Sequence, residues 1–264
     1  SYAYDHEWIN KTIYQNAYVR TDSYFDNSPL ASSGLPSKNE LELLNVWKDE
    51  IPAEVFTETF TPPITDGSGN DRKNLLKAKE ILEKEGWFVE NGKLFKDGKE
   101  FKFEFLIVSP SDEKIALAYQ SNLKKLGITM DVRTVDSSQY QERLLSYDFD
   151  MIKRYWGVSL SPGNEQQFYW GSEVGQKDGS RNYPGINSPA VDALIEKLIS
   201  ATNREELTTA IHALDRVLLW GHYVVPLYHS NKDRIAYWDF FEYPDEIPLY
   251  GIVIESWWIN KDKQ

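Results

Sequence analysis

Apolar residues recur along this chain with two different periods. Residues 71–85 place Leu75, Leu76, Ala78, Ile81 and Leu82 on one helical face, with Asn70 or Asp71 available as the N-cap and Gly86 as the stop. Residues 101–107 instead alternate Phe101, Phe103 and Phe105 with Lys102 and Glu104, the period of a strand. With residues 93–95 and the turn Lys96-Asp97-Gly98-Lys99, they predict a hairpin. A repeated unit follows: strand 101–108, helix 112–126, strand 128–135, helix 137–146 and strand 149–155, with Gly127 ending the first helix and Asp136 or Ser137 capping the second. Strands alternating with helices of this length predict right-handed crossovers onto a sheet that is at least partly parallel.

The flanking regions are less regular. Helical spacing reappears at residues 3–14, through Trp8, Ile9 and Ile13, and at 39–48, through Leu41, Leu44 and Val46. Between them, residues 21–37 are rich in Asp, Asn, Ser, Pro and Gly and read as an irregular loop of functional length. A second break spans 62–70, and a third, 160–187, carries seven Gly and Pro residues that punctuate it throughout. Helices are expected near 189–200 and 204–221. The tail reads as extended segments at 224–228, 234–238 and 251–258, separated by Pro226, Pro244 and Pro248.

Composition then removes several classes of function. The formal net charge is −12, which argues against a nucleic-acid-binding footprint. The chain has no cysteine, so disulfides, zinc–thiolate sites and cysteine nucleophiles are excluded together. Aromatic residues reach 14%, enough for large packed surfaces, ligand-facing walls, or both. No stretch of about 18 apolar residues reads as a membrane span.

Candidate chemistry is sparse. His6, His212, His222 and His229 are too widely spaced for a helical metal site, and His212 and His222 read as packed or capping residues of the last long helix. Asp66, Ser68 and Asn70 alternate as in a calcium loop, but Lys77 stands where the bidentate Glu would be, so the segment reads as a turn and helix cap. There is no nucleophile elbow, P-loop or dinucleotide fingerprint. No cofactor is expected. In open parallel sheets ligands bind beyond the carboxyl ends of the strands. That rule selects Arg154, Tyr155, Trp156, Gly157, Val158 and Ser159. Trp156 has two readings here, a core anchor at a strand end or the flat wall of a cleft, with Gly157 allowing close backbone approach.

The order of these pieces resembles the C-terminal half of the periplasmic substrate-binding proteins of peptide ABC transporters, the oligopeptide- and dipeptide-binding family 5 group. The likeness is carried by SYAYDHEWIN (1–10), KAKEILEKEGW (77–87), LKKLGITMDVRTVD (123–136), YDFDM (147–151), NSPAVDALIEKLISA (187–201), ALDRVLLWGHYVVPLYH (213–229) and ESWW (255–258). The opening, residues 21–36 and LDRVLLWGHYVVPLY resemble the YejA-type branch especially. The resemblance implies an α/β periplasmic-binding-protein type II lobe, a mixed sheet flanked by helices, with residues 1–228 forming the second lobe. Residues 229–264 would return to lobe I, whose N-terminal part would lie in about 300 further residues upstream, behind a signal peptide. It also implies a periplasmic monomer that is not an enzyme and that binds oligopeptides in a closing cleft. Its partners would be an inner-membrane ABC permease and the N-terminal half of the same protein, with no nucleic acid. In peptide-binding members an aspartate shortly after the Trp-bearing strand end holds the peptide ammonium; Ser159 stands there in this chain, and Glu165 or Glu173 are the candidate replacements. The competing functions are a hydrolase acting on peptides or glycans through a carboxylate pair, and a structural partner-binding protein.

Overall fold

A computed structural model describes residues 1–175, 177–248 and 251–263; positions 176, 249, 250 and 264, within the expected 160–187 loop and the tail, lie outside the described residues. Helix α1 (His6–Thr12) starts where the Asp5 carboxylate accepts from the Trp8 amide. A two-residue strand β1 (Val19–Arg20) leads into the irregular segment 21–37. Helix α2 (Lys38–Leu44) opens with a reciprocal capping box between Ser37 and Glu40, then tightens into a 3-10 turn at Asn45–Trp47. That turn leaves Val46 exposed and packs Trp47 against the core, so the expected Leu41–Leu44–Val46 face is not the one used. After the single turn α3 (Glu54–Thr57), α4 (Arg72–Lys84) is capped by Asp71, as its sequence requires. Its buried stripe is narrower than the spacing predicted: Leu75, Ala78 and Leu82 pack inward, whereas Leu76 and Ile81 face outward.

Strands β2 (Phe88–Glu90), β3 (Lys93–Lys96) and β4 (Lys99–Glu100) form an antiparallel ribbon turned at Asp97 and Gly98, both at positive φ. The predicted hairpin is therefore present but short. The chain changes sheets at Phe101, whose amide still donates to Leu94 O (2.8 Å) while its carbonyl accepts from Thr129 N (3.0 Å). From there β5 (Lys102–Ile107), α5 (Pro110–Lys125), β6 (Thr129–Thr134), α6 (Ser137–Leu145) and β7 (Met151–Ile152) build a parallel sheet of order β6-β5-β7. The first crossover steps from the central strand β5 to β6, and the second steps back past β5 to β7, in the opposite direction. Crossovers of one hand that do so must lie on opposite faces. Phe105 and Ile107 accordingly pack with α5, and Leu106 with Tyr140 and Leu144 of α6. Strand 149–155 is corrected to Met151–Ile152: Arg154 and Tyr155 are past the strand, because only Phe105 and Leu106 of β5 have partners there.

Gly127 joins α5 to the sheet at φ +81, and its carbonyl accepts from Leu94 N at 2.8 Å. A Cβ there would sit 3.0 Å from Leu94 N. Gly127→Ala is expected to cost about 2 kcal/mol, from left-handed strain plus the displaced ribbon; urea unfolding within about 0.5 kcal/mol of the parent would contradict it.

Helices α7 (Glu165–Trp170), α8 (Pro189–Ile199) and α9 (Arg204–Trp220) form a second layer with α2 and α3, whose core includes Leu44, Trp170, Val191, Leu194, Ile211 and Leu214. Ser188 and Asn203 cap α8 and α9. Strand β8 (Tyr228–His229) returns antiparallel to β1. In the tail, β9 (Phe241–Glu242) pairs with β10 (Trp258–Ile259). The expected extended segments are corrected: 234–238 has no ladder partner among the described residues, and 251–258 contains a 3-10 turn at Ile254–Ser256 before the strand starts.

Candidate functional site

Arg154, Tyr155, Trp156, Gly157, Val158 and Ser159 follow the carboxyl end of β7, beside that of β5. Lys153, the first residue beyond β7, pairs with Asp112 in the first turn of α5 and donates to Tyr228 Oη at 3.1 Å. Its carbonyl accepts from Tyr140 Oη at 3.0 Å. Tyr228 shares a 2.7 Å hydrogen bond with Tyr14, and burial pushes both phenols up, keeping them neutral. The end of the sheet is thereby tied to α5, to α6 and to the strand that opens the tail.

The six residues divide by direction. The Arg154 guanidinium lies 5.2 Å from the Tyr183 ring centroid, Nη2 reaches Tyr183 Oη at 3.5 Å, and Nε is shut from solvent without a partner. Trp156 packs on Trp170, with ring centroids 4.8 Å apart, and its Nε1 donates to Arg181 O at 3.4 Å. It is half-buried, so one side closes the edge of the helical core. Tyr155, 87% exposed, and Gly157, Val158 and Ser159 face outward. A Cβ on Gly157 would meet nothing within 4 Å. Ser159 Oγ accepts from Ser161 N at 3.1 Å. Of the two acidic replacements, Glu165 is occupied in place, both oxygens accepting from Gly163 N at 3.0 Å, and Glu173 is exposed.

Sequence reasoning missed the buried polar pair that shapes the segment 21–37. Asp215, fully buried in α9, accepts from Ser23 Oγ (2.7 Å), Tyr24 N (2.8 Å), Ser32 N (3.0 Å) and Ser32 Oγ (2.7 Å). Its neighbour Arg216 donates to Glu40 Oε2 (2.6 Å), Gly34 O (2.7 Å) and Ser33 O (2.8 Å). The available signal was a charged pair inside the apolar run Ala-Leu-Asp-Arg-Val-Leu-Leu, which is expensive unless both groups find partners. The segment at 66–70 is a hydrogen-bonded turn: Ser68 N donates to Asp66, Gly69 N to Asp5, and Asp71 caps α4. His212 and His222 lie in and just after α9, as expected, with His212 near Pro29 O and Glu40. Among the described residues no group of three or more His, Cys, Asp or Glu is placed to hold a metal.

Mixed α/β layers of this kind, with residues 154–159 leaving the carboxyl end of β7, are the architecture of a family of binding proteins. The model of the bacterial extracellular solute-binding proteins, family 5 (middle region), matches residues 1–178, and the chain belongs to that family. An uncharacterised protein y4wM of Sinorhizobium fredii is 49% identical over 98% of this chain and 39% of its own length. The probable peptide-binding protein YejA of Agrobacterium fabrum is 42% identical over 99% of this chain and 43% of its own length. The chain thus spans about two fifths of the length of these relatives, matching their C-terminal part. Among solved structures, the oligopeptide-binding protein AppA of Bacillus subtilis, in complex with a nonapeptide, superposes with a TM-score of 0.65 at 22% identity, covering 98% of this chain and 46% of that one. That likeness establishes the fold. No helix among the described residues is long and apolar enough to cross a membrane.

Proposed function

We propose that this chain is the second lobe of a periplasmic binding protein that closes on oligopeptides and delivers them to an inner-membrane ABC permease. The observation that carries the reading is family membership over residues 1–178, beside a relative named as peptide-binding and a fold neighbour holding a nonapeptide. An extended peptide presents a regular ladder of donors and acceptors, which exposed main chain at Gly157–Ser159 would satisfy whatever the side chains are. Residues 1–228 form this lobe, and 229–264 rejoin lobe I. The tail's exposed Trp238, Ile247, Ile254 and Trp258 support that division, because apolar surface on this scale needs a covering partner. The protein at its full encoded length, recovered by native mass spectrometry after exposure to a peptide mixture, should carry intact peptides. Fragments accumulating with time would favour the hydrolase. Its best acid is Asp26, which burial raises to about 7 and whose Oδ2 lies 3.4 Å from His229 Nδ1.

The strand-end residues are part of the proposal. Trp156→Ala should weaken peptide binding by roughly 1–3 kcal/mol. Unchanged affinity with a lower melting temperature would make Trp156 purely a core residue. Ser159→Asp should favour peptides with a free amino terminus over their N-acetylated forms, since it adds the carboxylate that the family resemblance places there. Equal affinity for both would remove position 159 from the site.

A further inference from the structure

The irregular chain that follows α7 meets the strand-end segment at two points. The Arg181 carbonyl accepts from Trp156 Nε1 at 3.4 Å, and the Tyr183 ring centroid lies 5.2 Å from the central carbon of the Arg154 guanidinium. Tyr183 also stands against Trp156, with ring centroids 6.4 Å apart. Residues 181–187 lie in no helix or strand. A backbone without a ladder must be fixed by side chains, or its contacts are not held in one geometry.

Asn182 sits between those two contacts and is fully buried. Its Nδ2 donates to Gly171 O at 3.0 Å and to Ile186 O at 2.8 Å, and its Oδ1 accepts from Ile186 N at 2.8 Å. One carboxamide thus fastens the end of α7 to the chain that enters α8. Asparagine suits the place because it offers two N–H groups to the two carbonyls and an oxygen to the amide. Gly175 completes the fit: a Cβ there would lie 2.7 Å from Asn182 Nδ2 and 3.3 Å from its Cγ. Two backbone bonds then transmit the anchor, Arg181 N to Phe168 O at 3.3 Å and Gly185 N to Asn182 O at 3.0 Å. Arg181 and Tyr183 are the chain neighbours of Asn182, so a displaced Asn182 moves both.

We infer that Asn182 is a positioning residue for the solute site, holding the Arg181 carbonyl and the Tyr183 ring where they set the orientation of Trp156 and Arg154. Asn182 itself touches no solute. Without the Arg181 carbonyl in place, the Trp156 indole keeps its packing on Trp170 but loses the hydrogen bond that fixes its rotation. The solute part of this inference rests on the proposed function; the hold on Trp156 does not.

The test uses the full encoded protein with 5-fluorotryptophan in place of tryptophan. Asn182→Asp keeps the size but has no N–H for the two carbonyls, and Gly175→Ala leaves Asn182 in the chain while crowding its amide. The fluorine resonance of Trp156 is the one lost in Trp156→Phe. Both variants should move that resonance. Both should also weaken the peptide that native mass spectrometry recovers most abundantly from the parent, by roughly 3- to 30-fold. Gly127→Ala, destabilised at the amino ends of the strands, should leave both readouts at their parent values. A Trp156 resonance at the parent position in both variants overturns the inference. So does an equal weakening in Gly127→Ala, because lost stability alone would then account for it. If Asn182→Asp does not fold, Gly175→Ala carries both measurements. If the parent carries no peptide, the proposed function fails, and the Trp156 resonance still decides whether Asn182 holds the indole.

Discussion

Asp215→Ala should lower the unfolding free energy by about 3–5 kcal/mol, more than any exposed substitution in the chain, because it orphans a set of buried donors rather than removing one contact. The carboxylate receives two backbone amides and two hydroxyls from Ser23, Tyr24 and Ser32. Burial raises the Asp215 pKa, and those donors pull against the rise. Alanine leaves the half-buried Tyr24 and Ser32 amides, and the Ser23 and Ser32 hydroxyls, without their acceptor. Asp215→Asn should fall between, since one amide oxygen can serve only one side of a carboxylate that is bonded through both Oδ1 and Oδ2. Urea unfolding measures the loss, and limited proteolysis of residues 21–37 should report the same order of variants. An Asp215→Ala protein within about 1 kcal/mol of the parent would show that the loop does not depend on this anchor.

The second large effect is acid lability through Glu40. Burial alone would raise its pKa, but the His212 ring 3.7 Å away, the Arg216 hydrogen bond and charge, and Ser37 together outweigh burial and hold it at about 2, against an ordinary 4.5. A depressed carboxylate stabilises the fold fully above its unfolded value and loses that contribution as pH falls towards the folded one. The window is therefore pH 4.5 down to about 2, and the amount is about 3 kcal/mol at 1.36 kcal/mol per unit. His212, whose pKa the nearby Glu40 carboxylate raises, acts in the opposite window: its contribution is present below 6.5 and lost as pH rises through its raised value. Arg216→Met should cost about 3–5 kcal/mol at neutral pH by leaving Glu40 buried and unpaired. The same variant should flatten the acid limb, because its Glu40 protonates more readily. Stability against pH for the parent and Arg216→Met checks both, and parallel curves between pH 4.5 and 2 would contradict the assignment.

Periodicity and capping made most of the regular elements readable from the chain. The run at 71–85 became α4 capped at Asp71, and the unit at 101–155 became a parallel sheet with a helix on each face, because spacing and caps act within a few residues. The strand-end segment was equally legible, since it follows from the order of elements alone. The family was legible too, through local motifs spread along the chain.

Tertiary structure decided what depends on residues far apart. Val46 and Leu76 are apolar yet exposed, because a helix turns only a stripe to its neighbour and the neighbour chooses the stripe. The strand expected at 149–155 shrank to Met151–Ile152, because a strand lasts only as long as its partner edge, and β5 offers that edge at Phe105 and Leu106. Segment 21–37 reads from its Asp, Asn, Ser, Pro and Gly content as an irregular loop of functional length; its anchor is Asp215 and Arg216, nearly 200 positions away. Arg20 is the same case with the opposite outcome. Burial beside the Tyr4 ring takes its guanidinium nitrogens out of water, and no partner among the described residues replaces the lost hydrogen bonds. Local spacing sets which elements form, because their hydrogen bonds close within a turn or a pair of strands. The cost of a buried polar group is set by whatever the fold brings against it, and that is written nowhere near the residue itself.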